Sequence, residues 1–207
     1  MATSAFALLL WTAADLWIPR RGGFRDFDAA AVGRLDGDMW RSYYERKPAR
    51  LFWQLAQSLR IQFHTGFWRS FPMAYRAARA AFVFKDGRNR EQYARALPDL
   101  ERYFAQINAL ADAPFDAHSA AQKELEWWII RREPARYSTK DWERLIAAVV
   151  GDIYHMPPER FAGYARLRVA AMVLRDTRGA AITEQDWSQI RQMLEQSWSA
   201  LGRVLHS

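Results

Sequence analysis

Apolar residues recur at three- and four-residue spacing along most of the chain, which is the pattern of amphipathic α-helices. One clear stripe comprises Trp187, Ile190, Leu194, Trp198 and Leu201. No sustained alternation of period two indicates a strand. The pattern predicts an all-α fold of about seven or eight helices, in an orthogonal or up-down bundle, with an N-terminal apolar helix.

Proline, glycine and capping residues predict where these helices begin and end. Asp26 or Asp28 is a candidate N-cap, and the segments from Ser138 to Asp141 and from Thr183 to Asp186 have the spacing of helix starts. The helices predicted after residue 25 cover about residues 26–46, 48–64, 67–85, 89–111 with a kink near Pro98, 117–133, 138–155, 157–179 and 183 to the end.

The N-terminal pattern is different, because residues 5–18 (AFALLLWTAADLWI) are interrupted only by Thr12 and Asp15. A spanning helix needs about 20 apolar residues, so this segment is short for one, although Asp15 is near enough to its end to reach lipid headgroups. A cleaved secretory signal is a second interpretation, but no lysine or arginine precedes the segment. A first helix buried in the bundle is the third. Length and flanks favour a membrane anchor.

These patterns predict three parts of the chain. Residues 1–18 form the apolar segment and candidate membrane anchor, residues 19–28 a linker, and residues 29–207 a single α-helical domain. A chain of 207 residues is long enough for one well-buried core. One compact domain is therefore expected.

Charge adds a cationic surface to this picture. The net charge is +7, and residues 46–85 contain eight basic side chains and no acidic one. Arginine forks suit phosphate, so this run and the arginines after the apolar segment predict a surface that binds membranes or other anions. The residues of this surface are Arg20, Arg21, Arg25, Arg46, Lys47, Arg50, Arg60, Arg69, Arg76, Arg79 and Lys85. An aromatic core face with solvated arginines explains the same pattern, and nucleic acid or an acidic protein is a further candidate partner.

Aromatic residues make up 14% of the chain, and tryptophan is favoured where an apolar phase meets water. Adjacent tryptophans on a helix point about 100 degrees apart, so two in a row do not fit one narrow stripe. The expected interface aromatics are Trp11, Trp17, Trp53, Trp68, Trp127 and Trp128.

The candidate chemistry is sparse. The chain has no cysteine, which excludes disulfides and thiolate sites, and it has no Walker loop, G-x-S-x-G elbow or H-E-x-x-H pair. One Asp-x-x-His pair resembles half of a four-helix carboxylate metal site. In this alternative the metal ligands are Asp152, His155, Glu124, Glu126, Glu101 and Glu45. Without a second such pair, capping of a helix end by His155 explains the pattern as well.

The sequence therefore favours a non-enzymatic helical accessory protein attached to a bacterial membrane. Positively charged residues after the apolar segment place the domain on the cytoplasmic side, with a periplasmic location as the alternative. The expected partner is the membrane surface or an integral membrane protein complex, with no cofactor and no defined small-molecule substrate. The alternatives are a helical metal- or ligand-binding protein or enzyme, and a soluble basic nucleic-acid-binding protein.

Overall fold

Helices account for the whole fold in a computed structural model that describes the backbone of residues 2–207 and the side chains from Phe6 onward. Within this range there are nine helices of twelve residues or more, one of five residues, and no strand. The α-helices are α1 (Ala2–Trp17), α2 (Ala29–Tyr44), α3 (Pro48–Gln62), α4 (Ser70–Asp86), α5 (Arg90–Ala94), α6 (Leu97–Asn108), α7 (Ala117–Arg131), α8 (Thr139–Tyr154), α9 (Ala162–Arg178) and α10 (Glu184–Leu205). Short 3-10 turns cover Pro158–Phe161 and Gly179–Ala181. The all-α helical bundle is confirmed. Met1, part of the predicted apolar segment, lies outside the described residues.

Capping residues start several helices as the sequence predicts. The Asp28 carboxylate accepts from the Ala31 N–H at 2.9 Å and begins α2. The Ser138–Asp141 and Thr183–Asp186 pairs form capping boxes at α8 and α10. These reciprocal hydrogen bonds satisfy backbone donors that would otherwise lack a partner.

One predicted helix, 89–111, is divided in the structure. It forms α5 and α6, and Pro98 lies in the first turn of α6. Proline lacks a backbone N–H and clashes with the preceding turn, so a new helix starts more readily than an old one continues through it. This break raises the helix count above the predicted seven or eight.

Each long helix from α2 to α10 packs on the next long helix in the chain, and α10 closes the arrangement by packing on α2. The space between them holds the core, whose most deeply buried large side chains include Met73, Leu100, Ile107, Phe161 and Leu194. The helix α1 is the exception, since it has no extended interface with another helix in the described part of the chain.

Residues 19–28, the predicted linker, are fastened to the bundle. The Gly22 N–H donates to Leu110 O at 3.3 Å, and the Gly23 N–H donates to the Asp112 carboxylate at 3.2 Å. The Phe24 ring is buried with its centroid 4.9 Å from that of Phe63. The chain that follows α1 is therefore part of the packed structure.

Candidate functional site

The most unusual surface of the molecule is α1, whose apolar side chains point into solvent. Leu9 is 68% exposed and Trp17 82% exposed. The large apolar residues exposed along this segment are Phe6, Leu8, Leu9, Leu10, Trp11, Leu16, Trp17 and Ile18. Because consecutive positions from Phe6 to Leu10 are all exposed, every face of this part of α1 is open to solvent. A contiguous apolar surface of this kind marks a site of interaction with a membrane or a protein.

The helix is held at its C-terminal end by one buried carboxylate. Asp15 is 6% exposed, and its Oδ2 accepts from the backbone N–H groups of Trp68 at 2.7 Å and Arg69 at 3.2 Å. These donors precede α4, where a negative charge is favourable. The Arg69 side chain completes the contact by donating to the carbonyl oxygens of Asp15 at 3.1 Å and Leu16 at 2.7 Å. The Asp15 carboxylate therefore finds its hydrogen-bond partners within the protein and fastens α1 to the turn before α4.

Close approach of two chain segments makes this contact possible. A Cβ atom added to Gly66 would lie 1.6 Å from Asp15 Oδ1, which is far inside van der Waals contact. The contact that holds α1, here named the α1 base, consists of Asp15, Gly66, Trp68 and Arg69. Its members could not be recognised as a group from sequence, although an acid inside an apolar helix signals that a compensating partner is needed.

Aromatic side chains surround the α1 base. Trp11 lies with its ring centroid 6.3 Å from Phe67 and 6.0 Å from Trp68, and Phe67 is 5.2 Å from Phe71. The aromatic cluster comprises Trp11, Phe52, Trp53, Phe67, Trp68 and Phe71. Trp11, Trp53 and Phe67 are exposed, so the cluster is accessible from solvent where α1 leaves the bundle.

The predicted cationic surface is divided by the fold into separate groups. Arg60 and Arg69 lie beside the aromatic cluster and the α1 base. Arg76 and Arg79 are paired instead with buried Asp99, at 3.0 and 3.2 Å. Each of these two guanidinium groups therefore has a carboxylate partner within the bundle, which Arg60 and Arg69 do not have.

The remaining cations of the run are near the opposite end of the α3–α4 pair. Lys47 pairs with Glu45 at 2.6 Å, and Lys85 Nζ is 5.2 Å from the ring centroid of Tyr43. Arg50 lines a small charged cleft of about 150 Å³ with Lys47, and Arg46 is exposed next to it. These four side chains do not join Arg60 and Arg69 in one patch, because α3 is about 22 Å long.

The arginines that follow α1 have different environments. Arg20 and Arg21 are exposed, whereas Arg25 donates from Nη2 to Tyr154 O at 3.1 Å. The structure therefore places Arg20 and Arg21 next to the C-terminal end of α1. Arg25 stabilises the packing of residues 19–28.

The predicted interface tryptophans also separate into two sites. Trp11, Trp53 and Trp68 meet in the aromatic cluster, and Trp17 projects from the end of α1. Trp127 and Trp128 instead lie half-buried on α7, and their Nε1–H groups donate to Glu124 at 2.8 and 3.0 Å. Burial raises the pKa of the Glu124 carboxyl, although these two indole donors act in the opposite direction.

The six residues of the alternative metal site have six separate environments. Asp152 pairs with Lys123 at 2.5 Å, and the His155 ring contacts Ala113 O at 3.1 Å. Each glutamate has its own partners: Glu101 with His118, Glu126 with Arg90, Glu45 with Arg41 and Lys47, and Glu124 with the two indoles. Across the side chains that the structure describes, no three histidine or carboxylate groups are positioned to hold a metal ion. The structure does not assemble this predicted site.

No protein family, characterised protein or solved structure matches the chain. In the part of the chain that the structure describes, none of the helices combines the length and the apolar character required to cross a bilayer.

Proposed function

We propose that this protein is a non-enzymatic helical accessory protein that attaches to a membrane by inserting α1. The observation that carries the proposal is the exposure of apolar side chains all round α1, with Phe6, Leu9 and Leu10 each more than half exposed. Burying such side chains in the apolar part of a bilayer is favourable by about 1.5 to 3 kcal/mol each. Charged side chains are absent from the described part of α1 before Asp15, so insertion would carry no ionic penalty there.

The α1 base supports the proposal because it fixes the helix at one end only. Asp15 is turned towards the bundle, where it accepts its two backbone hydrogen bonds, and the apolar remainder of α1 projects from this contact. A helix of 16 residues is about 24 Å long, which is shorter than the hydrocarbon core of about 30 Å. We infer that α1 enters the bilayer from one side, with the bundle outside.

The aromatic cluster supplies the second contact that stable attachment requires, since one apolar segment alone binds membranes weakly. Trp11 and Trp53 are both exposed where α1 meets the bundle, and indoles favour the boundary between acyl chains and headgroups. The partner would be the membrane surface, or an integral membrane protein whose lipid-facing helices α1 contacts.

Vesicle co-sedimentation of the full chain tests the attachment. The variant Leu9→Glu places a charge in the middle of α1 and should weaken binding about tenfold or more. Its control is Val173→Glu, because Val173 is an exposed apolar residue on α9. The control variant should bind as the wild type does. Wild-type protein that stays in solution with every vesicle composition would overturn the proposal, as would equal losses in the two variants.

The sidedness follows from Arg20 and Arg21, which are exposed just after α1. Positive residues beside an apolar segment are retained in the cytoplasm, so we propose that the bundle lies on the cytoplasmic face of a bacterial membrane. Protease treatment of sealed inside-out vesicles should digest the bundle. Protection in such vesicles, together with digestion of right-side-out spheroplasts, would place it on the periplasmic side instead.

A further inference from the structure

Arg60, which lies beside the α1 base, and Arg69, which belongs to it, have no carboxylate partner among the described residues. The half-buried arginines Arg41, Arg76, Arg131 and Arg168 each form an ion pair. Arg175 also lacks an ion pair, but it lies over the Tyr44 ring and donates to Gly179 O, far from α1 in the chain.

The guanidinium carbon of Arg60 lies 5.4, 5.1 and 5.8 Å from the ring centroids of Trp53, Phe67 and Phe71. Its Nη1 donates to Ser70 Oγ at 3.0 Å. The guanidinium of Arg69 donates to two backbone carbonyls of α1. Neither guanidinium forms an ion pair with any carboxylate of the described residues.

This arrangement is electrostatically incomplete. Burial lowers the pKa of both Arg60 and Arg69 from its ordinary value, although the nearby Asp15 carboxylate acts in the opposite direction on Arg69. Carboxylate partners raise the pKa of Arg41, Arg90 and Arg168. A guanidinium stays protonated in proteins, so a partly desolvated one is stabilised by an anion. Rings and neutral oxygens provide only part of that stabilisation.

Position identifies the kind of anion. Both side chains are at the boundary between the bundle and the exposed apolar surface of α1, which is the depth of the headgroups if α1 is in the acyl region. Each guanidinium keeps N–H donors beyond those used in the contacts described, and its planar fork matches the oxygens of a phosphate. Arg76 and Arg79 belong to the same basic run, but both pair with the carboxylate of Asp99.

We propose that Arg60 and Arg69, within the aromatic cluster, bind the phosphate of an anionic phospholipid headgroup. This inference rests on the proposed membrane attachment and makes it selective for lipid charge. The indole of Trp53 would pack against the glycerol and upper acyl region while Arg60 contacts the phosphate. Because phosphatidylcholine carries a choline cation on its phosphate, it would satisfy the two arginines less well than phosphatidylglycerol.

Co-sedimentation with two vesicle compositions separates this inference from the attachment itself. The wild type should bind phosphatidylcholine vesicles containing phosphatidylglycerol more tightly than vesicles of phosphatidylcholine alone. Equal binding to both would overturn the headgroup site and leave the attachment standing. Binding to neither would overturn both proposals.

Matched charge removal tests whether the site is specific. Arg60→Gln should weaken binding to the phosphatidylglycerol vesicles about fivefold, with little change on phosphatidylcholine alone. Arg79→Gln removes the same charge from the same run and should bind as the wild type does, since Arg76 still pairs with Asp99. Equal losses in the two variants would show diffuse charge attraction and overturn the site.

A measurement on folded wild-type protein avoids dependence on the stability of the Arg60 variant. Short-chain, soluble phosphatidylglycerol should shift the Nε–H magnetic resonance signals of Arg60 and Arg69, and soluble phosphatidylcholine should shift them much less. Unchanged signals with phosphatidylglycerol would overturn the inference. Equal shifts with inorganic phosphate at the same concentration would also overturn it, because they would identify a free phosphate rather than a lipid as the ligand.

Discussion

Helices α1 and α10 lie at the two ends of the chain and place their apolar side chains in opposite environments. In α10 the residues Ile190, Leu194 and Leu201 are almost completely buried, while Arg191, Gln192 and Gln196 face solvent. In α1 the apolar side chains are exposed on every side, and one acid at its end is buried. The apolar face of α10 is covered by other helices of the same chain. The exposed apolar surface of α1 indicates a partner outside the chain.

The difference between α10 and α1 shows that the polar face of a helix determines how the helix is oriented. A polar face tells which side of a helix must stay in water, and by exclusion which side must be buried. In a helix without a polar face, the sequence pattern does not determine which side is buried. The orientation of such a helix depends on the few atoms that attach it to the rest of the protein. For α1 these atoms belong to the α1 base.

The largest loss in the free energy of unfolding is expected when the buried polar contact between α10 and α2 is removed. Asp36 of α2 is 3% exposed and accepts from Trp198 Nε1 of α10 at 2.8 Å while pairing with Arg168 of α9. Asp36→Ala would leave the Arg168 cation without its partner, at a cost of about 3 to 5 kcal/mol in the free energy of unfolding. Urea denaturation followed by circular dichroism measures the loss.

A neighbouring pair provides the control for Asp36. Asp38 is also on α2 and pairs with Arg191 of α10 at 2.5 Å, but the arginine is exposed. Asp38→Ala should therefore cost less than about 1 kcal/mol. Similar losses in the two variants would mean that the buried network does not fasten α10 more strongly than the surface pair.

The same leucine-to-alanine change should have unequal effects in the two helices. Leu194 is 0% exposed, so Leu194→Ala removes packed methyl groups and should cost about 2 to 5 kcal/mol. Leu9 is 68% exposed, so Leu9→Ala should change the free energy of unfolding by less than about 0.5 kcal/mol. Both variants are measured by urea denaturation without lipid. A loss for Leu9→Ala as large as that for Leu194→Ala would contradict the exposed position of α1.

A smaller effect on stability is expected at the α1 base. Gly66→Ala places a methyl group against the Asp15 carboxylate and should displace it from the N–H groups before α4, at a cost of about 1 kcal/mol. The displacement should free the end of α1, and limited proteolysis near residues 16–21 should become faster. Gly163→Ala is the control, because its added Cβ would be 3.9 Å from Ala200 Cβ, an ordinary contact. Unchanged proteolysis in the Gly66 variant would show that the α1 base does not fix the helix.

These positions also show how far the sequence could predict the molecule. The Asp28 cap and the Thr183–Asp186 capping box were predictable because they join residues within one helical turn. The buried stripe of α10 was predictable because its period follows helix geometry. The all-α class depends only on such local signals.

The candidate site was less accessible to this reasoning because its contacts join distant segments. Asp15 meets Gly66 and Trp68 only when α1 crosses the turn before α4, and no local pattern encodes that crossing. The basic run is continuous in the sequence. The fold pairs Arg76 and Arg79 with Asp99, a residue outside the run, and leaves Arg60 beside the α1 base.

The smallest expected effect on stability depends on pH. It arises from Glu124 on α7, in the bundle and away from α1. Burial raises the pKa of Glu124 in the folded protein above its value of about 4.3 in the unfolded chain. The folded state therefore holds this proton more tightly. The resulting stabilisation is complete below the unfolded pKa and is lost as the pH rises through the folded pKa.

The variant Glu124→Gln isolates this contribution because glutamine does not titrate and its carbonyl oxygen still accepts from the indoles of Trp127 and Trp128. The free energy of unfolding of the wild type, relative to this variant, should fall as the pH rises from about 4 towards neutrality. Urea denaturation of both proteins across this range measures the difference, in which other titrating groups cancel. A wild type that gains stability over the variant as the pH rises would mean that the two indole donors and the Arg168 cation, rather than burial, control the pKa of the carboxyl group. Glu124 would then resemble Asp15 of the α1 base, an anion held by N–H donors, and the contrast between the bundle interior and the attachment of α1 would disappear.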